Sequence, residues 1–393
     1  MIHLGKMRSF ATTVLAALAF LFLAAFSLFP GRVFDPAKTI SITAVGDIMM
    51  GSTYPTPILP PNDGASLFDG VRDSLNGADI VFGNLEAPFL EKGIARKCAG
   101  VRSNGVGCFE FRMPTRYVKY LSQSGFNTVG VANNHILDFG GEGLQSTLKT
   151  LKAAGIAAVG GERVARFNIR GKNVVLVGFS FSCPHESTSI LNLLKAAETV
   201  QNLKKENDIV IVSFHGGAEG KEALHVSDVN ELFGSEMRGN VVKFSRTAVD
   251  AGADMVIGHG PHVLRAMEIY RGKLIVYSLG NFLTYGRFNI KGPNGISLIL
   301  KANIDSSTGN FTSGQIIPVK LKERGIPFLD ADKESIRLVR QLTEEDIKSS
   351  SLMITENGHL YPHGVALVTM GKAKLFSLLD HLKKSVNPGA SIP

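Results

Sequence analysis

The sequence predicts an α/β fold, in which strands and helices alternate along the chain. Two observations support this prediction. From Thr39 onward, short apolar runs typical of buried strands alternate with longer amphipathic stretches typical of helices. Several of these helices end at a glycine just before the next strand, as at Gly155 and Gly252. Alternation of this kind is typical of proteins whose sheets contain long parallel regions.

The predicted elements follow one another in a regular order. Strands are expected at residues 40–45, 79–82, 128–131, 174–179, 209–214, 254–257 and 273–279. Helices are expected at residues 115–124, 143–154, 190–205 and 241–251. Two later strands, 296–302 and 315–321, have no helix between them, which favours antiparallel pairing. We therefore expect layered sheets covered by helices rather than one doubly wound sheet.

The N-terminus contains an apolar stretch without charge, residues 9–29, which is long enough to cross a membrane as a helix. Lys6 and Arg8 precede it, and such charges mark the cytoplasmic side. We expect a cytoplasmic segment at 1–8, a single transmembrane anchor at 9–29 and a linker at 30–39, with the remaining chain extracytoplasmic at the cell membrane. A cleaved signal peptide is the alternative, although its apolar core usually has only about 7–15 residues.

Charge and cysteine content narrow the class of protein. The net charge is +8, but Lys and Arg are scattered and no basic run occurs, so we expect no nucleic-acid partner. An anionic partner and simple solvation both fit the charge. Cys98 and Cys108 lie in one glycine-rich segment, where a disulfide fits an oxidising compartment and two free thiols are the alternative. Cys183 is expected to be a free, partly buried thiol.

The C-terminal extension, residues 327–393, contains no residues to which we assign chemistry. We expect a charged helix at 333–348, a strand at 365–370, a helix at 374–383 and a disordered tail.

Polar side chains follow five of the predicted strands. In chain order they are Asp47; Asn84 and Glu86; Asn134, His135 and Asp138; His215 and Glu219; and His259 and His262. Because loops at the carboxyl ends of strands converge in α/β proteins, we expect these side chains at one sheet edge. Imidazoles with carboxylates are ligands for Zn, Mn or Fe, in sites of one or two metal ions. Each residue alone also has a structural explanation, such as a turn or a surface ion pair.

Six motifs resemble the CapA family of poly-γ-glutamate (capsule) synthesis proteins, within the calcineurin-like metallophosphoesterase superfamily. In the family's order they are GDIMMG, GNLEAPF, VANNHILDFG, HGGAE, GADMVIGHGPHVL and YSLGNF. The resemblance extends from about Ile40 to Phe282. It implies a four-layer αββα metallophosphatase-like sandwich at residues 40–326, with a metal site between the loop ends of two sheets.

The resemblance implies roles for single residues. Asp47 and His262 would hold a first metal ion, and the ligands of a second ion would be Asn134, His215 and His259. Glu86 would bridge the two ions. His135 would protonate the leaving group and Asp138 would orient it; helix capping near Gly143 is the alternative for Asp138. The positions that would contact the substrate or support the metal ligands are Asn84, Glu219 and Asn281.

The sequence also departs from the family pattern. Met49 stands where the superfamily has a histidine ligand, so a site with one metal ion is an open alternative. Asn84 stands where an aspartate is usual, which leaves open whether Asn84 or Glu86 bridges. Gly216 and Gly260 replace a tryptophan and a histidine that are frequent in the family. We expect both glycines to open the pocket.

The function implied is metal-dependent hydrolysis or transfer on an anionic polymer such as poly-γ-glutamate, in capsule synthesis. Other membrane proteins of capsule synthesis are expected partners. Two alternatives are open: a metal-dependent phosphoesterase, and a polymer-binding assembly or export component without catalysis. Fold alone does not separate them.

Overall fold

The computed structural model describes residues 36–99 and 107–363. The predicted anchor at 9–29, the cytoplasmic segment at 1–8, the strand at 365–370 and the helix at 374–383 lie outside the described residues. Among the described helices, none combines the length and the apolar character that crossing a membrane requires.

The described chain alternates strands and helices as the sequence predicts. Its strands are β1 Thr39–Met49, β2 Ile80–Leu85, β3 Thr128–Gly130, β4 Ala157–Val159, β5 Val164–Ile169, β6 Lys172–Ser180, β7 Ile209–His215, β8 Glu231–Phe233, β9 Glu236–Gly239, β10 Met255–His259, β11 Met267–Tyr270, β12 Lys273–Val276, β13 Asn281–Thr284, β14 Ile296–Asp305, β15 Phe311–Lys322, β16 Ile326–Leu329, β17 Leu352–Ile354 and β18 His359–Pro362. Its α-helices are α1 Arg72–Leu75, α2 Val118–Gln123, α3 Gly140–Ala153, α4 Leu193–Glu206, α5 Val241–Asp250 and α6 Glu334–Asp346.

The first sheet is mixed. β1 pairs in parallel with β2 and β13, and β2, β3 and β4 continue the parallel part. On its other side β1 pairs with β14, and β14 pairs with β15, both antiparallel. The antiparallel pairing expected between the strands at 296–302 and 315–321 is therefore confirmed. Strands β16 and β18 also pair with β15, so part of the C-terminal extension joins this sheet.

The second sheet has the order β11-β12-β10-β7-β6-β5. Its four central strands, β12, β10, β7 and β6, are parallel, and antiparallel strands lie at both edges. The parallel strands carry continuous apolar runs because both of their faces are buried.

Three apolar cores separate the layers. Ile42 of β1, Ile211 of β7 and Ile257 of β10 belong to the core between the two sheets. The alternate residues of the second sheet, such as Val212, pack with α4 and α5 in another core. The outer face of the first sheet packs with α2 and α3 in the third core, which includes Leu151. The layer order is helix, sheet, sheet, helix, as the family resemblance implies.

The cysteine predictions are confirmed. Cys98 and Cys108 form a disulfide, with their Cα atoms 5.8 Å apart. Among the described residues, Cys183 is a free cysteine of intermediate exposure.

Candidate metal centre

The strand register places the candidate residues beside one another at the carboxyl ends of the parallel strands in both sheets. In the first sheet, Asp47 of β1 pairs with Asn84 of β2 and with Asn281 of β13. In the second sheet, His215 of β7 pairs with His259 of β10. The expectation that all five strand ends lie at one sheet edge is therefore wrong. Strands β1, β2 and β3 belong to one sheet, whereas β7 and β10 belong to the other.

A local distortion of β1 accompanies the position of Asp47. The register of β1 shifts between Ala44 and Asp47 against β2, and between Asp47 and Ile48 against β13. At Gly46 a side chain is excluded, because a Cβ atom would lie 1.9 Å from the carbonyl oxygen of Gly280. Bulges of this kind re-aim side chains at the ends of strands.

Asp47 contacts residues of both sheets although it is completely buried. Its Oδ1 accepts a hydrogen bond from Asn84 Nδ2 at 2.8 Å, and its Oδ2 lies 3.0 Å from His262 Nδ1. His259 Nδ1 lies 3.5 Å from Oδ1. Burial by itself raises the pKa of Asp47, but the hydrogen bonds and charges of His259 and His262 outweigh burial and hold that pKa far below its usual value.

Glu86 is a second completely buried carboxylate. Its Oε1 lies 3.7 Å from His215 Nε2 and 3.6 Å from His262 Nε2, beyond ordinary hydrogen-bond distance. Burial, with the negative charge of Asp47 nearby, raises the pKa of Glu86 well above its usual value. Asp47, Glu86 and His215 each offer a ligand atom within 4.8 Å of the other two.

His262 joins the two carboxylates. It has a φ of 59°, the left-handed region that non-glycine residues rarely adopt. Burial lowers the pKa of His262, but the carboxylates of Glu86 and Asp47 outweigh burial and raise that pKa to about 10. Burial lowers the pKa of His215 well below its usual value, which keeps that ring neutral as a metal ligand requires.

Several buried side-chain oxygen and nitrogen atoms lack a hydrogen-bond partner within the described part of the chain. They are Glu86 Oε1 and Oε2, Asn134 Oδ1, His215 Nε2, and His259 Nδ1 and Nε2. Buried polar atoms are normally paired, so the unpaired atoms of Glu86, His215 and His259 require an explanation, because His215 lies beside Glu86 and His259 lies beside Asp47. A divalent ion explains them, since Zn, Mn and Fe bind carboxylate, amide and imidazole atoms together. The residues present therefore fit a divalent metal.

His135 and Asp138 form a contact beside this group. His135 Nδ1 lies 2.9 Å from Asp138 Oδ2, which also accepts a hydrogen bond from Phe111 N at 2.7 Å. The capping alternative for Asp138 is wrong, because α3 begins after Phe139 and has no side-chain cap. Burial raises the pKa of Asp138 to about 7. Burial and the charge of Lys97 lower the pKa of His135 well below its usual value.

Glu219 and Asn281 differ in their contacts. Glu219 Oε2 lies 3.9 Å from His262 Nε2, and its Oε1 lies 2.7 Å from Arg238 Nη2. Asn281 Nδ2 donates to the carbonyl oxygens of Asn289 and Asn294, at 3.3 and 3.1 Å. Glu219 therefore lies beside a proposed ligand, whereas the side-chain amide of Asn281 holds the following loop.

Three residues near the site were not recognised in the sequence. Asn133 Oδ1 accepts hydrogen bonds from the backbone of His135 and Ile136, while its Nδ2 donates to Asn84 Oδ1 at 3.0 Å. Lys97 Nζ lies 3.3 Å from His135 Nδ1. Arg238 is buried, and its Cζ lies 4.2 Å from the centre of the Phe181 ring. The doublet Asn133–Asn134 was a visible signal, whereas no local pattern marked Lys97 or Arg238.

The expected opening of the pocket at Gly216 and Gly260 is wrong. A Cβ atom at Gly216 would lie 2.2 Å from Ile190 Cδ1, so the space beside this glycine is already filled. Gly260 has a φ of 111°, and its Cβ atom would lie 2.9 Å from the backbone nitrogen of Gly216. Both glycines are explained by close packing and, at Gly260, by backbone conformation.

The layers and the site together define an α/β protein with a candidate divalent-metal centre between two sheets. Its sequence matches the family described as bacterial capsule synthesis protein PGA_cap over residues 41–285, and the chain belongs to this family.

Individual relatives agree with the family. The chain is 27% identical over 333 residues to the capsule biosynthesis protein CapA of Bacillus anthracis, covering 80% of this chain and 75% of the relative. It is 26% identical over 326 residues to the PGA biosynthesis protein CapA of Bacillus subtilis (strain 168), covering 78% of each. A solved structure of a novel phosphatase from Mycoplasma pneumoniae aligns with a TM-score of 0.45 and 13% identity, covering 77% of this chain and 99% of that one.

Proposed function

We propose that the protein is a membrane-anchored, extracytoplasmic, metal-dependent hydrolase or transferase that acts on an anionic polymer of the poly-γ-glutamate type during capsule synthesis. Family membership supports the role in capsule synthesis. The apolar stretch at residues 9–29 supports the anchor. The observation that carries the catalytic part is the group of buried, unpaired oxygen and nitrogen atoms between the two sheets.

Six residues would hold the metal. Asp47 and His262 would hold one ion, and the ligands of a second ion would be Asn134, His215 and His259. Glu86 would be a ligand near both sets, since its Oε1 lies 3.7 Å from His215 Nε2 and 3.6 Å from His262 Nε2. A bound divalent ion supplies Lewis acidity, which acidifies water and polarises a carbonyl or phosphoryl oxygen. Asn84 supports this set because it donates a hydrogen bond to Asp47, which orients that carboxylate.

His135 would exchange a proton with the substrate. Its Nδ1 is engaged with Asp138, so Nε2 is the ring nitrogen left for the leaving group. Asp138 is therefore a positioning residue that fixes the ring orientation and the tautomer. Because burial and Lys97 disfavour the charged ring, a protonated His135 would be a strong acid.

Metal analysis of the purified protein tests the assignment. His215→Ala and His259→Ala should each reduce the metal content strongly, since each removes an imidazole from the centre. His225→Ala is the matched control, because His225 is exposed and contacts Asp346 outside the site. Retention of the wild-type metal content in both site variants would contradict the assignment.

Activity assays then separate the candidate functions. Metal-dependent cleavage or transfer of poly-γ-glutamate supports the proposal. Activity confined to a phosphodiester identifies a phosphoesterase. A protein that binds metal and the polymer but converts neither poly-γ-glutamate nor a phosphodiester is an assembly or export component.

A further inference from the structure

Lys97 lies directly beside the proposed proton-exchanging pair. Its Nζ is 3.3 Å from His135 Nδ1 and 3.6 Å from Asp138 Oδ1. The Lys97 side chain is 28% exposed, whereas the Asp138 side chain is completely buried. The ammonium group therefore lies at the boundary between the buried pair and solvent.

The contact with Asp138 differs from the structural ion pairs of this protein. Lys204 and Lys273 hold the buried carboxylate of Asp254 at 2.7 and 2.8 Å. By contrast, the 3.6 Å from Lys97 to Asp138 exceeds hydrogen-bond distance. An ammonium group has three donors. Among the described residues His135 Nδ1 is the one acceptor within hydrogen-bond distance of Lys97 Nζ, and in the tautomer that donates to Asp138 it accepts no hydrogen bond from Lys97. Lys97 therefore has donors left for an anionic group.

The disulfide between Cys98 and Cys108 begins at the residue that follows Lys97. On one side of it, the backbone nitrogens of Arg96 and Lys97 donate to the carbonyl oxygen of Asp138, at 2.8 and 3.3 Å. On the other side, Phe111 N donates to the Asp138 carboxylate, and the Phe111 ring centre lies 4.6 Å from that of His135. The bond between Cys98 and Cys108 joins these two segments, and both segments donate hydrogen bonds to Asp138.

We propose that Lys97 is an anion-binding residue of the substrate pocket, which holds a carboxylate of the substrate beside His135 and is kept in place by the disulfide between Cys98 and Cys108. The inference rests on the proposed function, because the substrate is taken to reach His135. Ammonium groups bind carboxylates and phosphates through charge-assisted hydrogen bonds. The bound carboxylate would belong to a residue next to the bond being cleaved.

Calorimetric titration of the purified full chain tests the role of Lys97, with a γ-linked glutamate pentamer and inorganic phosphate as probes. Lys97→Met should weaken pentamer binding about tenfold or more, because one charge-assisted hydrogen bond is lost. Lys97→Arg, which keeps the charge, should stay within about threefold of wild type. Lys92→Met is the matched control, since Lys92 is exposed in the same segment. Metal content should be unchanged in all three variants.

The outcomes separate this inference from the proposed function. Wild-type affinity of Lys97→Met for both probes overturns the inference, as does a wild-type protein that binds neither probe. Equal loss of affinity in Lys97→Arg and Lys97→Met also overturns it, because a residue that acts through its charge is rescued by arginine. Binding of phosphate alone, dependent on Lys97, supports the anion site while the polymer part of the proposed function fails.

The part played by the disulfide is tested in the same assay. The double variant Cys98→Ser, Cys108→Ser should weaken pentamer binding to a similar degree as Lys97→Met, with unchanged metal content. Wild-type affinity in this double variant overturns the positioning role of the disulfide.

Discussion

Replacement of Glu86 by glutamine should stabilise the metal-free protein and abolish its stabilisation by metal. Glu86 is completely buried, and neither carboxylate oxygen has a hydrogen-bond partner among the described residues. The imidazoles of His215 and His262 are nearest but remain 3.7 and 3.6 Å away. Without an ion, the folded state therefore contains a buried carboxyl group that lacks a hydrogen-bond donor when ionised, and its raised pKa shows that burial disfavours its charged form.

The expected magnitude follows from these contacts. A buried polar group without a partner costs roughly 1–3 kcal/mol, and more when it is charged. Glutamine removes the charge but keeps polar atoms, so we expect a gain of about 1–2 kcal/mol in the metal-free protein. For a chain of 393 residues that gain raises the Tm by roughly 1–2.5 °C, because the unfolding entropy is about 0.8 kcal/mol/K. Metal at a hundred times its Kd should stabilise the wild type by about 2.7 kcal/mol and the variant very little.

Thermal unfolding followed by circular dichroism, with EDTA and with Zn²⁺ or Mn²⁺, measures both effects. Asp254→Asn is the matched control, because Asp254 is also buried but is held by Lys204, Lys273 and the backbone nitrogen of Val210. Its substitution should destabilise the protein by about 3–5 kcal/mol with or without metal. A Glu86→Gln variant less stable than wild type in EDTA would contradict this prediction, since Glu86 would then be satisfied without an ion.

Three further predictions concern the proton balance, the packing and the acid stability. The pKa of His262 is raised to about 10, so metal binding near pH 7.5 should release a proton from its ring. The affinity for metal should therefore increase with pH, and calorimetry in two buffers measures the number of protons released. Gly216→Ala should cost roughly 1–3 kcal/mol in urea unfolding, because the new Cβ atom would lie 2.9 Å from the backbone carbonyl oxygen of Arg238 and 2.2 Å from Ile190 Cδ1. Gly141→Ala, which has open space, should not destabilise. Burial by itself raises the pKa of Asp79, but hydrogen bonds from Arg170 and Ser41 and the charge of Arg170 together outweigh burial and lower that pKa. The contribution of Asp79 to stability is therefore present above about pH 4 and lost as pH falls, and Asp79→Asn should flatten that loss in urea midpoints between pH 6 and 3.

Several features were predictable from the sequence because they depend on local pattern. The strands at 40–45, 174–179 and 209–214 are apolar runs, and each lies within an observed strand. The helix predicted at 333–348 corresponds to α6 Glu334–Asp346. Short strands such as β4 and β17 gave no comparable signal, since strands of three residues carry little periodicity.

The candidate site was predictable in its residue types but not in its arrangement. Which strands end in carboxylates, amides and imidazoles follows from the sequence alone, because the residue after a buried strand is read directly. The tertiary structure was needed to show that these strands belong to two facing sheets, that Asp47 contacts both His259 and His262, and that Gly216 and Gly260 are packing positions. It also placed Lys97 beside His135. The physical reason is that strand order, register and close contact depend on residues far apart in the chain, whereas sequence pattern reports only neighbours.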